Sequence, residues 1–197
     1  MRVILPLLAL LSTTAAAAPH PAGPADVLVR LDTSAGPIVI DLDLRHAPIT
    51  AGNFLHYVDA HRFDGTSFYR AARSKYDPNA GFAQGGINHK ATLAFFPIPH
   101  EPTSVTGLHH TDGTLSMARN EPGTASGDWI ICVGNQTYLD ARPGSVGYAA
   151  FGHVVSGMPI VRRMLTLPTF PGGFSQAMLN QTLRNPVRII RAVRVKG

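Results

Sequence analysis

Between Phe68 and Gly86 the chain reads FYRAARSKYDPNAGFAQGG, and this stretch collects a cation, an amide and apolar side chains. Arg70 follows an aromatic pair. A polar loop from Ser74 to Gly81 carries Pro78, and Phe82 and Gln84 then stand just before Gly85 and Gly86. These residue types supply no nucleophile and no acid–base pair. They offer a fixed cation, an amide and apolar surface brought together by a strand, a loop and a second strand, which suits hydrogen-bond donation in apolar surroundings. An arginine after two aromatics is by itself a weak signal, since most such residues are solvated strand ends. A pocket requires a second, distant segment.

Other residues with chemical potential read as structural. Cys132 is the only cysteine, which excludes an intrachain disulfide. It lies within Trp129-Ile130-Ile131-Cys132-Val133, a buried-strand pattern in which it is a small core hydrophobe, and Trp129 is expected to be core or half-buried rather than a substrate platform. His56, His61, His89, His100, His109 and His110 prompt a metal-binding reading. Structural metal sites show tight paired ligand spacing, and these histidines do not. His56 and His61 fall off one helical face, and in a strand the adjacent His109 and His110 would point opposite ways. They are expected to be solvated loop histidines, with no metal and no cofactor.

The elements that must position the stretch follow from periodicity. Val27, Val29 and Leu31 alternate with polar neighbours, as do Ile38, Ile40 and Leu42, and Thr33 to Pro37 forms a turn between them, giving a β-hairpin. Pro48 suits a first helical position, and Ala51, Phe54, Leu55 and Val58 place one inward stripe on a helix from Pro48 to Ala60. Asp64-Gly65-Thr66 turns into a strand from Ser67 to Arg70. Ile87 to Asp112 reads mainly as loop. Strands are expected at Thr114–Ala118, Trp129–Val133, Gly147–Val155 and Val187–Val195, with a polar loop from Arg119 to Asp128 and a loop-rich stretch from Leu167 to Thr182. A second helix opens at Pro159, with Val161, Met164 and Leu165 inward. Many short strands with two helices make a closed or sandwiched β architecture.

The chain of 197 residues suffices for one domain with a core. Its net charge of +5 is modest, and without a Lys/Arg run or an aromatic-plus-basic patch nucleic acid is not expected as a partner. Arg162-Arg163 and the arginines from Arg184 onward read as a solvated helix edge and strand face. At the N-terminus, Arg2 precedes the apolar segment Val3 to Leu11, too short to span a bilayer, and Ser12 to Ala18 is rich in small residues. That is the pattern of a cleavable secretory signal, with the cut near Ala17 or Ala18, and Pro19 favours Ala17. The expected organisation is a signal peptide at 1–18, a Pro/Gly-rich linker at 19–26 and one domain at 27–197. The product would be periplasmic or secreted, with no membrane insertion after cleavage.

The second half supplies the distant segments. GTLSMAR (Gly113 to Arg119), GDWIICV (Gly127 to Val133), YLD (Tyr138 to Asp140) and YAAFGHVVSGM (Tyr148 to Met158) follow in order. Together with DGTSFYR, QGG, the AP-x-T-x-x-NF helix from Ala47 and the C-terminal NPVRI, this series resembles the cyclophilin-type peptidyl-prolyl isomerases over nearly the whole mature chain. The resemblance implies a closed eight-stranded antiparallel barrel capped by two helices. It also implies a proline site on the outer face, no cofactor, proline-containing polypeptide substrates and a monomer.

By that resemblance Arg70 matches the catalytic arginine and Gln84 the glutamine that orients it and touches substrate. Ala118 matches a wall residue and Leu139 a pocket leucine. Arg119 falls where backbone groups pair with substrate, and Tyr138 stands where many eukaryotic members have tryptophan. Several positions depart from the pattern. Counting back from Gln84, Gly81 and Phe82 occupy the places of a phenylalanine and a methionine. Either Phe82 replaces the methionine or the loop is one residue shorter. The loop after Arg70 is longer than usual. Asp128 replaces a pocket glutamine, Ile130 the phenylalanine that floors the proline slot, and Tyr148 a histidine. A carboxylate at 128 is expected to pair with the Arg70 guanidinium and damp activity. Two functions follow: a prolyl isomerase assisting the folding of exported proteins, or a binding or chaperone module with weak turnover in the same groove.

Overall fold

The computed structural model describes residues 27–173 and 176–195, so the expected signal peptide and linker lie outside the described residues. Eight antiparallel strands close into a barrel in the order β1-β2-β7-β5-β6-β4-β3-β8. They are β1 Val27–Thr33, β2 Gly36–Leu42, β3 Ser67–Arg73, β4 Gly81–Gly86, β5 Thr114–Met117, β6 Asp128–Val133, β7 Ala150–Ser156 and β8 Thr182–Val195. The helices are α1 Pro48–Asp59, a single turn α2 Thr103–Thr106 inside the expected loop, and α3 Met158–Met164.

The hairpin forms as its alternation requires, with Val29, Leu31, Ile38, Ile40 and Leu42 inside the barrel. The inward stripe of α1 is buried, and Phe54 packs against Phe63, Trp129 and Phe151 at centroid distances of 5.0, 5.3 and 5.4 Å. Ala47, at the helix N-cap, has no side chain to satisfy the first amides. Glu101 supplies the missing acceptor from far along the chain: its carboxylate takes the Ile49 amide at 3.1 Å, the Thr50 amide at 2.6 Å and the Thr50 hydroxyl.

Strand ends differ from the periodicity by one residue in β5, β6 and the end of β7, and by more in β3, the start of β7 and β8. β3 runs on to Arg73, because β4 pairs with it as far as Arg73 opposite Gly81. β7 starts at Ala150 rather than Gly147. β8 starts at Thr182, within a stretch expected to be loop up to that residue. Its register against β3 moves from Val187 opposite Phe68 to Thr182 opposite Arg70, so the segment with Pro186 bulges out while the ladder continues on both sides.

Candidate active site

The site lies on the outer face where β3, β4 and β6 run side by side. On β4, Phe82 and Gln84 point outward while Ala83 faces the core. The strand is regular between them, so Phe82, two residues from Gln84, shares its face by simple alternation. β6 sets Asp128, Ile130 and Cys132 opposite Gly86, Gln84 and Phe82. On β3 the register against β4 shifts between Phe68 and Arg70. Phe68 turns inward against Trp129, 5.2 Å between rings, and Tyr69 and Arg70 both reach the outer face. A bulge therefore delivers two consecutive side chains to one site. Gly86 has φ +122°, and a Cβ there would lie 2.2 Å from the Gly127 carbonyl oxygen. Only glycine lets β4 leave the sheet at this point and bring the amides of Asn88 and His89 back over Asp128.

Ile130, Cys132 and Leu139 form a small apolar cluster separate from the barrel core, with Phe82 and Tyr148 packed against it. Leu139 comes from the turn Thr137–Leu139 and is tied to Tyr148, whose amide donates to the Leu139 carbonyl at 2.9 Å. Burial pushes the Cys132 thiol up to about 12, so it packs as a hydrophobe. The Arg119 guanidinium lies 4.7 Å from the Tyr148 ring centroid, and it donates to the Asn120 and Gly147 carbonyls. Ala118 follows at the end of β5, its amide bonded to the Asp128 carbonyl at 3.0 Å. Arg70, Gln84, Phe82, Asp128, Ile130, Leu139 and Tyr148 join Ala118 and Arg119 in lining one groove of about 1000 Å³, whose far end is walled by the long loop after Arg73.

A directed chain of hydrogen bonds crosses this face. Arg70 donates from Nη1 to Gln84 Oε1 at 2.7 Å and from Nε to Gln181 Oε1 at 2.8 Å. Gln84 Nε2 donates to the Tyr69 hydroxyl at 2.7 Å, and that hydroxyl donates to Asp128 Oδ1 at 3.1 Å. The expected pairing of Asp128 with Arg70 is not formed. The carboxylate is buried and turned the other way, where the amides of Asn88 at 2.7 Å and His89 at 3.0 Å already satisfy it. Backbone donors at fixed positions outcompete a guanidinium that two glutamines hold elsewhere. Burial, then the Asp128 charge, carry the Tyr69 hydroxyl far above the ordinary tyrosine range, so it stays protonated. Burial also lowers Arg70 from the usual arginine value, and the guanidinium remains charged.

Residues 28–194 match the family model described as cyclophilin type peptidyl-prolyl cis-trans isomerase. The chain belongs to this family. A peptidyl-prolyl cis-trans isomerase of Acinetobacter baylyi is 36% identical over 88% of this chain and 87% of its own. Peptidyl-prolyl cis-trans isomerase A of Dickeya dadantii is 34% identical over 85% and 86%. The solved cyclophilin type peptidyl-prolyl cis-trans isomerase of Cryptosporidium parvum superposes with a TM-score of 0.67, covering 88% of this chain and 99% of that one. At 18% identity this last likeness shows the fold, an eight-stranded barrel common to both.

For this cyclophilin the expectation of solvated loop histidines fails at His110. His109 and His110 lie in a loop as expected, and His109 is exposed. Both reach the Asp140 carboxylate, Nδ1 of His109 at 2.9 Å and Nδ1 of His110 at 2.5 Å, because they lie in a loop and not a strand. His110 is fully buried, and its Nε2 lies 2.8 Å from Ser116 Oγ. The unit pins the Leu139 turn to β5. Among the described residues no group of three His, Cys, Asp or Glu side chains is arranged to hold a metal ion. Two site residues escaped the sequence: Tyr69, read only as part of an aromatic pair, and Gln181, in a loop-rich stretch with no motif of its own. Only the β-bulge and the approach of β8 to β3 bring them to Arg70.

Proposed function

We propose that this cyclophilin catalyses X-Pro isomerisation by donating a hydrogen bond from Arg70 to the imide nitrogen of the twisted bond. Rotation about an X-Pro amide meets a barrier of roughly 18–20 kcal/mol because resonance is broken. The nitrogen gains a lone pair only when the bond is twisted, so a donor aimed at it stabilises the transition state selectively. The apolar cluster of Ile130, Leu139, Phe82 and Tyr148 takes the pyrrolidine ring, and Ala118 and Arg119 offer the flanking backbone contacts. The observation that carries the reading is the Arg70 guanidinium held by Gln84 and Gln181 beside that cluster, its Cζ 5.1 Å from the Phe82 ring centroid.

A second reading, a proline-peptide binding module with weak turnover, is favoured by Ile130 at the slot floor, where the family has a phenylalanine. The Phe82 ring in the same cluster opposes it by restoring an aromatic wall. A protease-coupled isomerisation assay on an Ala-Pro-Phe-type peptide separates the two. Arg70→Ala is expected to lower kcat/KM by about two orders of magnitude, close to 2.7 kcal/mol at 1.36 kcal/mol per tenfold. Arg70→Lys should recover little, because a point charge does not reproduce the planar fork. Wild-type activity in Arg70→Ala would remove the arginine from the mechanism. Its clients are proposed to be exported proteins, on the strength of the apolar segment Val3 to Leu11 and the small residues after it.

A further inference from the structure

We infer that Tyr69, Asp128 and Gln181 are positioning residues that set the orientation of the catalytic arginine, an inference that rests on the proposed role of Arg70. A glutamine amide has two nearly equivalent orientations, and only one presents its oxygen to a guanidinium. Gln84 is buried, so its two partners make the choice: the guanidinium only donates, and the Tyr69 hydroxyl lies 2.7 Å from Nε2 on the other side. A hydroxyl can donate or accept. The Tyr69 hydroxyl is forced to donate to Asp128, because a carboxylate only accepts, and it therefore accepts from Gln84 Nε2.

Asp128 is in turn held by the Asn88 and His89 amides, which are donors fixed by the backbone. Every bond in the series thus runs one way, from Arg70 and from the two amides, with the polarity decided by the carboxylate. A neutral amide at 128 would not impose it, since a carboxamide can donate as well as accept. Gln181 closes the other side. Its backbone carbonyl takes the Ala71 amide at 2.9 Å, which places its side chain beside Arg70, and its Oε1 takes the Arg70 Nε–H. Among the described residues, these two acceptors on different nitrogens constrain both the position and the plane of the guanidinium.

The test uses the purified full chain. Tyr69→Phe removes only the hydroxyl and is expected to lower kcat about tenfold, the effect of 1.36 kcal/mol, with KM changed less than about twofold. In a Gln84→Ala background the same substitution should have no further effect, since Tyr69 acts through Gln84. Gln181→Ala should lower kcat likewise and speed solvent exchange of the Arg70 Nε–H proton in NMR spectra. Asp128→Asn should lose activity while Asp128→Glu recovers part of it. Wild-type kcat in both Tyr69→Phe and Gln181→Ala, or additive losses in the double variant, would overturn the inference. If Arg70→Ala is itself fully active, the arginine mechanism fails first and takes this inference with it. An inactive Arg70→Ala beside a fully active Tyr69→Phe and Gln181→Ala defeats the positioning roles alone.

Discussion

A buried carboxylate is unfavourable unless donors surround it, and Asp128 has the Tyr69 hydroxyl and two backbone amides. This geometry changes what its replacement does. A carboxylate on the guanidinium would compete with the transition state, so its removal would speed the enzyme. A carboxylate behind Tyr69 supports Arg70 at a distance. Asp128→Gln is therefore expected to slow isomerisation, measured as kcat/KM in the protease-coupled assay, and a faster variant would restore the competition idea. Asp128→Ala leaves three donors without an acceptor. At about 1–3 kcal/mol per unsatisfied buried group it should also lower the melting midpoint, which calorimetry would register. The same logic explains why Arg119 can depart from the family pattern. Its guanidinium rests on Tyr148 and on the Asn120 and Gly147 carbonyls.

At the scale of elements, α1 holds the barrel core and Glu101 holds α1. Phe54→Ala should destabilise the protein by roughly 3–5 kcal/mol, because Phe54 is fully buried among Phe63, Trp129 and Phe151. Glu101→Ala strips the side-chain acceptor seen at the first turn of the helix among the described residues and is expected to cost about 0.5–2 kcal/mol, as the loss of a cap does. Chemical denaturation of both variants checks the order, with Phe54→Ala the larger loss. A larger loss from Glu101→Ala would mean that the loop carrying it, rather than the helix, depends on the contact. The β3 bulge belongs at this scale as well. One extra residue there converts the alternation of a strand into two adjacent outward side chains, Tyr69 and Arg70.

For the molecule as a whole, stability is coupled to pH through the His110–Asp140 pair. Burial lowers His110 below its ordinary value of 6.5, with Asp140 opposing, so the folded protein keeps the ring neutral, Nδ1–H toward Asp140 and Nε2 accepting from Ser116. Burial raises Asp140, but the hydrogen bonds from His110 and His109 outweigh it and leave the carboxyl below its ordinary 3.8. For His110 the unfolded chain binds the extra proton, so the contribution is full above 6.5 and fades as pH falls toward the lowered folded value. Asp140 adds a second loss below 3.8. The melting midpoint should fall with acidification from neutrality, and His110→Gln should flatten the first limb. An unchanged limb in that variant would assign it to other groups. The proposed export is tested at the N-terminus: mass spectrometry of protein from the native cell envelope should show a chain starting near Ala18 or Pro19, and an intact Met1 in a cytoplasmic fraction would sink the proposal.

Local regularity made much of this cyclophilin legible in its residues alone. Period-two alternation defined the hairpin of β1 and β2, period 3.6 defined the buried stripe of α1, and the apolar run around Trp129 defined β6, because each pattern is a direct projection of backbone geometry onto one chain segment. Ordered motifs carried the family, and with it the barrel and the positions of Arg70 and Gln84. Tertiary structure alone decided what surrounds them. The bulge at Tyr69, the arrival of Gln181 beside Ala71, and the turn of Asp128 toward residues 88 and 89 depend on strands far apart in sequence meeting at a particular register. The burial of His110 depends on a loop folding under the Leu139 turn. Side-chain charge and type are written in the sequence, whereas the partner that a buried polar group finds is a property of three-dimensional packing, and in this site the partners direct the arginine.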